Sequence, residues 1–154
     1  MIIKSIALGN VKEAYVEERF LDGVNIIFSD DNNKGKTLVM QGMMYAMGNQ
    51  PIFPKGFNYR LNYFYCKAEI NDEEIEFLRR YSSFLVKRQG AQYSFDNVTE
   101  LKYFLVDKNI FNIPQISKDD HMVIADLNLF YELFFIGQDK RNPSNTINSG
   151  YNNK

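Results

Sequence analysis

Apolar and polar positions fall into blocks whose period changes along the chain. From Tyr63 to Ile70, Phe64, Cys66, Ala68 and Ile70 share one side while Tyr63, Tyr65, Lys67 and Glu69 share the other, the two-residue period of a half-buried strand. Asn71-Asp72 turns the chain, and Glu74 to Arg80 returns with Ile75, Phe77 and Arg79 alternating against Glu74, Glu76 and Arg80. The two runs predict an antiparallel hairpin, and Phe84–Arg88 and Gln92–Phe95 predict two more strands around Gly90. Upstream, Ile2–Leu8 and Tyr15–Phe20 read as a first hairpin, and Val24–Phe28 as a β-branched strand suited to burial on both faces. Leu38 to Met47 has almost no polar face and stops at Gly48-Asn49 before Pro51, which predicts a helix buried around most of its circumference. Pro51 to Asn62 is irregular, with Pro51, Pro54 and Gly56 as breakers. Asn97 with Glu100 resembles a capping box, opening a helix that aligns Leu101, Phe104, Leu105 and Lys108. Pro114 closes that region, and Asp126–Phe135 is a last apolar element, helical at first.

Composition narrows the classes. A chain of 154 residues is one domain or one lobe of a larger one, and its 13 Phe and 10 Tyr favour strand positions. A net charge of −1 gives no general attraction for nucleic acid, so any such contact needs a local patch. The single Cys66 excludes an internal disulfide and fits a reducing cytoplasm. Met1–Leu8 is too short for a secretory leader and is interrupted by Lys4, and no apolar run reaches membrane-spanning length. The tail from Asn142 to Lys154, rich in Asn, Ser and Gly, reads as a loop or frayed end.

The candidate chemistry lies between the Val24–Phe28 run and the Leu38–Met47 helix. Ser29-Asp30-Asp31-Asn32-Asn33-Lys34-Gly35-Lys36-Thr37 is a polar loop ending in Gly-Lys-Thr, placed between a strand and a helix. That order suits a phosphate-binding loop: backbone N–H groups and the helix start converge on an anion, the lysine neutralises it, and the threonine hydroxyl can hold Mg²⁺. Asp30 stands where the usual pattern has its first glycine, and Asn33 takes the place of another. Asparagine tolerates left-handed backbone better than other non-glycine residues, whereas a carboxylate at Asp30 repels phosphate unless it turns outward or meets Mg²⁺.

With Asn32, Gly35, Lys36 and Thr37 placed, the element order resembles the N-terminal lobe of the ABC-type ATPase head of SMC, RecN and SbcC-type proteins. The likeness runs from the opening strands to Phe135-Ile136-Gly137-Gln138. It implies an α/β fold, a mixed sheet around a P-loop helix plus an antiparallel β subdomain. The parts would be 1–50 (strands, P-loop and helix), 60–96 (antiparallel strands), 97–141 (helices and Q-loop) and the tail 142–154. By this resemblance Asn32, Asn33, Lys34, Gly35, Lys36, Thr37 and Leu38 would cradle ATP, with Lys12 near a basic nucleotide contact. Thr37 and Gln138 would approach Mg²⁺, and Gln138 and Lys36 would serve hydrolysis. The family's signature motif, Walker B carboxylates and switch histidine belong to a second lobe, and this sequence contains no match for them. The resemblance therefore implies half of a head, completed by a C-terminal lobe and by a second head in a homodimer or heterodimer. It would act in DNA repair, chromosome handling or anti-phage defence, in the cytoplasm and apart from the membrane, hydrolysing ATP only when completed. The alternative is a nucleotide-sensing or structural interaction lobe that hydrolyses nothing. A kinase-like P-loop enzyme fits less well, because such enzymes continue with parallel βαβ units.

Other polar residues have simpler readings. His121, in Ser117-Lys118-Asp119-Asp120-His121, is expected in a solvated loop, and Cys66 as a small buried hydrophobe. Arg79, Arg80, Lys87 and Arg88 are either a strand-face patch for DNA or surface charge balanced by Glu74 and Glu76.

Overall fold

In the computed structural model, which describes residues 1–28, 30 and 35–134, the alternating segments build one antiparallel meander. Its strands are β1 (Ile2–Gly9), β2 (Ala14–Glu17), β3 (Tyr63–Ile70), β4 (Glu73–Arg80), β5 (Ser83–Arg88) and β6 (Ala91–Phe95), in the order β2-β1-β3-β4-β5-β6. Cys66 lies opposite both Ile6 and Phe77, and Phe77 lies opposite Val86. The register therefore puts Ile6, Cys66, Phe77 and Val86 on one face, and all are buried. Two helices cover that face: α1 (Lys36–Ala46) on β1, β3 and β4, and α2 (Val98–Asp107) on β5 and β6. The other face is charged and paired, with Lys67 to Glu74 at 2.9 Å and Lys87 to Glu76 at 3.1 Å across neighbouring strands.

The α2 cap is formed by Asn97, whose Oδ1 accepts from the Glu100 N–H at 3.0 Å while Glu100 Oε2 accepts from the Asp96 N–H at 3.0 Å. Beyond α2, β7 (Gln115–Lys118) and β8 (His121–Ile124) form a separate exposed hairpin, followed by α3 (Leu127–Glu132). His121 thus begins a strand rather than sitting in a loop. Asp119 and Asp120 both adopt left-handed backbone, with φ of 49° and 62°, and make the polar run a hairpin tip.

Val24–Phe28 departs from the expected interior strand. It forms no strand, and Val24, Ile26 and Phe28 are 93, 80 and 82% exposed. A strand buried on both faces needs hydrogen-bonded neighbours and a covering layer on each side. Among the described residues no strand pairs with this segment, and β2 is the edge of the sheet on that side. Its propensity for extended structure is real, but among the described residues no layer covers Val24, Ile26 and Phe28.

Helix α1 is fixed at its C-terminal end. The Gly48 N–H donates to the Tyr45 carbonyl and the Asn49 N–H to the Met44 carbonyl, each at 3.1 Å, the paired bonds of a Schellman stop. Gly48 has φ of 106°, a conformation that favours glycine, and a Cβ there would lie 2.6 Å from Leu127 Cδ1 and displace that side chain. Arg79 of β4 then reaches across: its guanidinium donates to the carbonyls of Tyr45 (3.0 Å), Asn49 (2.8 Å) and Tyr81 (2.8 Å). The same group lies 3.6 Å from the Tyr45 ring centroid and 4.5 Å from that of Phe84. Burial pushes the Arg79 guanidinium down to about 10, so it stays charged at neutral pH. Tyr45 completes the connection by donating its hydroxyl to the Tyr81 carbonyl at 2.9 Å. Around it Phe53, Tyr59 and Phe64 pack at ring separations of 5.1, 5.5 and 4.9 Å.

Arg79→Met keeps most of the apolar volume and removes all the donors. It is expected to lower stability in urea unfolding by about 3 kcal/mol, the scale of lost bonds to a charged group and carbonyls left underused. Cys66 supplies a second check, since burial pushes its thiol up to about 12. The native thiol should resist a disulfide reagent at pH 8 and react only as fast as the chain unfolds. Its proton is held in the folded state and released first from the unfolded one, so this group contributes a loss of stability as pH rises above its ordinary value of 9.0. Cys66→Ala should flatten that part of the alkaline profile.

Candidate functional site

The start of α1 is where sequence and structure meet. Gly35 precedes the helix with φ of 79° and ψ of 9°, a left-handed conformation that glycine adopts at little cost. Among the described residues a Cβ at Gly35 would meet nothing within 4 Å, so the requirement for glycine that they show is conformational. The Val39 N–H donates to the Gly35 carbonyl at 3.0 Å, which closes the first turn. The N–H groups of Thr37 and Leu38 precede that bond and have no acceptor within the helix. No acidic residue occupies the first turn, leaving the positive end of the helix dipole uncompensated there. Thr37 is exposed, and Lys36 is half-buried beside it. Backbone donors, a cation and an accessible hydroxyl on consecutive positions fit a phosphate group with an attached divalent metal.

The other expected contacts divide. Asp30 is exposed. Lys12 sits on the β1–β2 turn, where its N–H donates to Asn10 Oδ1 at 2.9 Å; Asn10 in turn donates to Asn62 Oδ1 at 3.3 Å. That turn is tied to the start of β3. Asn32, Asn33, Lys34 and Gln138 lie outside the described residues. The structure thus brings Gly35, Lys36, Thr37 and Leu38 together at one helix start and leaves Lys12 on a separate turn. Among the described residues no group of three or more His, Cys, Asp or Glu side chains could hold a metal by itself. No described helix is long and apolar enough to cross a membrane.

The four basic residues considered for a strand-face patch do not form one. Arg79 is buried, Lys87 pairs with Glu76, and Arg88 grips Glu73 with bonds of 2.8 and 2.9 Å. Of these four, and among the described residues, only Arg80 stays on the surface without a carboxylate, 4.9 Å from the Tyr63 ring centroid, with Nη1 donating to the Tyr63 hydroxyl at 3.1 Å. Beside it, Arg60 lies 5.0 Å over the ring of Tyr81. Arg60 was not apparent as a candidate from sequence. Its signal was the lack of any Asp or Glu between Asp31 and Glu69, in a stretch where Tyr59, Tyr63 and Tyr65 interleave with basic residues.

No protein-family model matches the chain. It is similar to the Lamassu protein LmuB of Bacillus cereus (strain VD014), 26% identical over 140 residues, which is 90% of this chain. The chain spans about a quarter of that relative's length, 25%.

The open surroundings of Gly35 yield a direct check. Gly35→Ala should cost about 1 kcal/mol in global stability, the conformational penalty alone, and Gly35→Asn less than that. Urea unfolding of both variants measures it; a loss much larger than this would mean that the loop before α1 packs tightly on Gly35.

Proposed function

We propose that this chain is the ATP-binding N-terminal lobe of an SMC-like ABC ATPase, with an α/β P-loop fold, working in anti-phage defence. The observation that carries the reading is Gly35-Lys36-Thr37 opening α1 from a left-handed glycine, with Thr37 and Leu38 N–H groups directed out of the helix start. The likeness to the Lamassu protein LmuB supports the defence setting over repair or chromosome handling. Lys36 would neutralise the β- and γ-phosphate oxygens of ATP, the backbone from Gly35 to Leu38 would hold the phosphates, and Thr37 Oγ1 would face Mg²⁺. A bound Mg²⁺ supplies charge stabilisation of the transferring phosphoryl group. In hydrolysis the protein's part is mainly to position charge around that group, and Gln138 is the proposed residue for aligning the water. The carboxylate that would activate it comes from a C-terminal lobe, and a second head completes the site.

The exposed side chains of Val24, Ile26 and Phe28 support such a completion. Alternating apolar side chains left in water at each second position of an extended run are what a further layer would cover. A second reading, a lobe that senses nucleotide or binds a partner without hydrolysis, is favoured by Asp30 and Asp31 in the loop ahead of Gly35. Two carboxylates near an anion site weaken phosphate binding.

Calorimetric titration of the chain with ATP and Mg²⁺ decides between these. Weak binding is expected, abolished by Lys36→Ala and strengthened by Asp30→Gly roughly fivefold, the equivalent of about 1 kcal/mol of removed repulsion. Phosphate release from the chain alone should be negligible. Equal binding by Lys36→Ala and the unaltered chain would make Gly-Lys-Thr an inert turn and leave the interaction reading.

A further inference from the structure

The β7–β8 hairpin lacks what a two-stranded unit needs. Its strands are four residues each, and a lone hairpin is marginal in water unless a third strand or a packed face supports it. Every residue from Gln115 to Val123 is exposed, and among the described residues β7 pairs with β8 alone. The base, by contrast, is firm. Ile113 and Ala125 are buried, the Ala125 N–H donates to the Pro114 carbonyl at 2.9 Å, and Lys102 Nζ of α2 donates to the Ile124 carbonyl at 3.2 Å. The hairpin is thus rooted at one end and unsupported along its length. Ile116 and Val123 lie opposite each other, 38 and 37% exposed, which leaves an apolar pair in water on one face.

Strand pairing determines which backbone groups stay open. Pro114 and Ala125 share a bond at the base, so in an antiparallel ladder the bonded pairs recur at Ile116 with Val123 and at Lys118 with His121. The N–H and C=O groups of Gln115 and Ser117 therefore point away from β8, along an open edge. On the opposite edge Met122 and Ile124 point outward, but the Ile124 carbonyl is already taken by Lys102. Charge separates the two edges further. Two copies of β8 joined antiparallel through Met122 and Ile124 would set Asp120 of one against Asp126 of the other. Two copies of β7 joined through Gln115 and Ser117 set Ile116 against Ile116, Gln115 against Ser117 and Lys118 against Pro114, with no like charges opposed.

We infer that β7 is an association edge at which a second copy of this chain pairs antiparallel about a two-fold axis, joining the two hairpins into one sheet. The same patch serves both copies, as a closed two-fold dimer requires. Gln115 and Ser117 of each copy exchange both backbone bonds with Ser117 and Gln115 of the other. Val123 and Ile116 of one hairpin then continue into Ile116 and Val123 of the next, an apolar row across the strands in which each side chain covers part of its neighbour. The contact uses no residue of α1 and does not rest on the ATP-binding reading.

Sedimentation velocity of the full chain without nucleotide, from ~10 to ~500 μM, measures the association, since so small a contact is expected to be weak. The sedimenting species should grow from one chain toward two as concentration rises. Ser117→Pro removes an outward donor without breaking a bond to β8 and should abolish the dimer. Ile116→Lys sets two ammonium groups face to face and should weaken it about tenfold. Met122→Pro, whose missing N–H lies on the opposite edge, and Lys36→Ala should associate as the unaltered chain does. In amide exchange the Gln115 and Ser117 N–H groups should gain protection with concentration while the Met122 N–H does not. A chain that stays monomeric throughout would mean that something other than a second copy fills the edge, and would overturn the inference. So would a dimer that survives both Ser117→Pro and Ile116→Lys, or one lost in Met122→Pro with the Gln115 and Ser117 amides unprotected. Because Lys36→Ala is a control here, failure of the ATP-binding reading leaves this outcome untouched.

Discussion

The guanidinium of Arg79 is the connection through which helix α1 and the sheet become one body. Placing a charged group in a core costs several kcal/mol unless its donors are satisfied. Here it caps the C-terminal end of a helix, where the dipole favours a cation, and it donates to three carbonyls while lying between the rings of Tyr45 and Phe84. A lysine has neither the planar fork nor the stacking surface for this arrangement. The consequence reaches both ends of α1. With its C-terminus clamped to β4, a straight helix of 11 residues fixes the direction in which Gly35, Lys36 and Thr37 face.

Much of this was readable in the residue pattern, and the exceptions have separate causes. The β3–β6 meander follows from strict alternation, because its buried face is covered by α1 and α2 and a one-residue slip would expose Phe64, Cys66, Phe77 and Val86 together. Arg79 shares the phase of Ile75 and Phe77, so its burial was already written in the period; its charge pointed to the surface, and the period proved the better guide. The β7–β8 hairpin escaped because its strands are short and exposed and its turn is Asp-Asp, which reads as solvated charge. Val24–Phe28 shows the opposite error. Its composition reports that the segment can be extended and buried, but burial is a property of neighbours, and the described residues leave Val24, Ile26 and Phe28 uncovered.

The candidate phosphate site was legible for a different reason. A left-handed glycine followed by Lys and Thr at a helix start is a local arrangement, set by backbone conformation within a few residues, so it survives in sequence without help from the rest of the fold. The Arg60–Tyr81 pair is not local. Its members are brought together only when the loop before β3 closes over Tyr45 and the β4–β5 turn folds back beside it, and no single stretch of sequence contains both.

The start of α1 and the Arg60–Tyr81 pair are nonetheless held by the same clamp. Arg79 Nε and the Tyr45 hydroxyl both donate to the Tyr81 carbonyl, and Arg79 also holds the carbonyls at the end of α1. The turn that carries Tyr81 is therefore tied to the same helix that presents Lys36. On the outer face of the sheet Glu74 and Glu76 neutralise Lys67 and Lys87, while Glu73 and Arg88 pair on the helix-covered side. Among the described residues that pairing leaves Arg80 as the charge on the outer face of β4 without a carboxylate, next to the turn that Arg79 and Tyr45 hold.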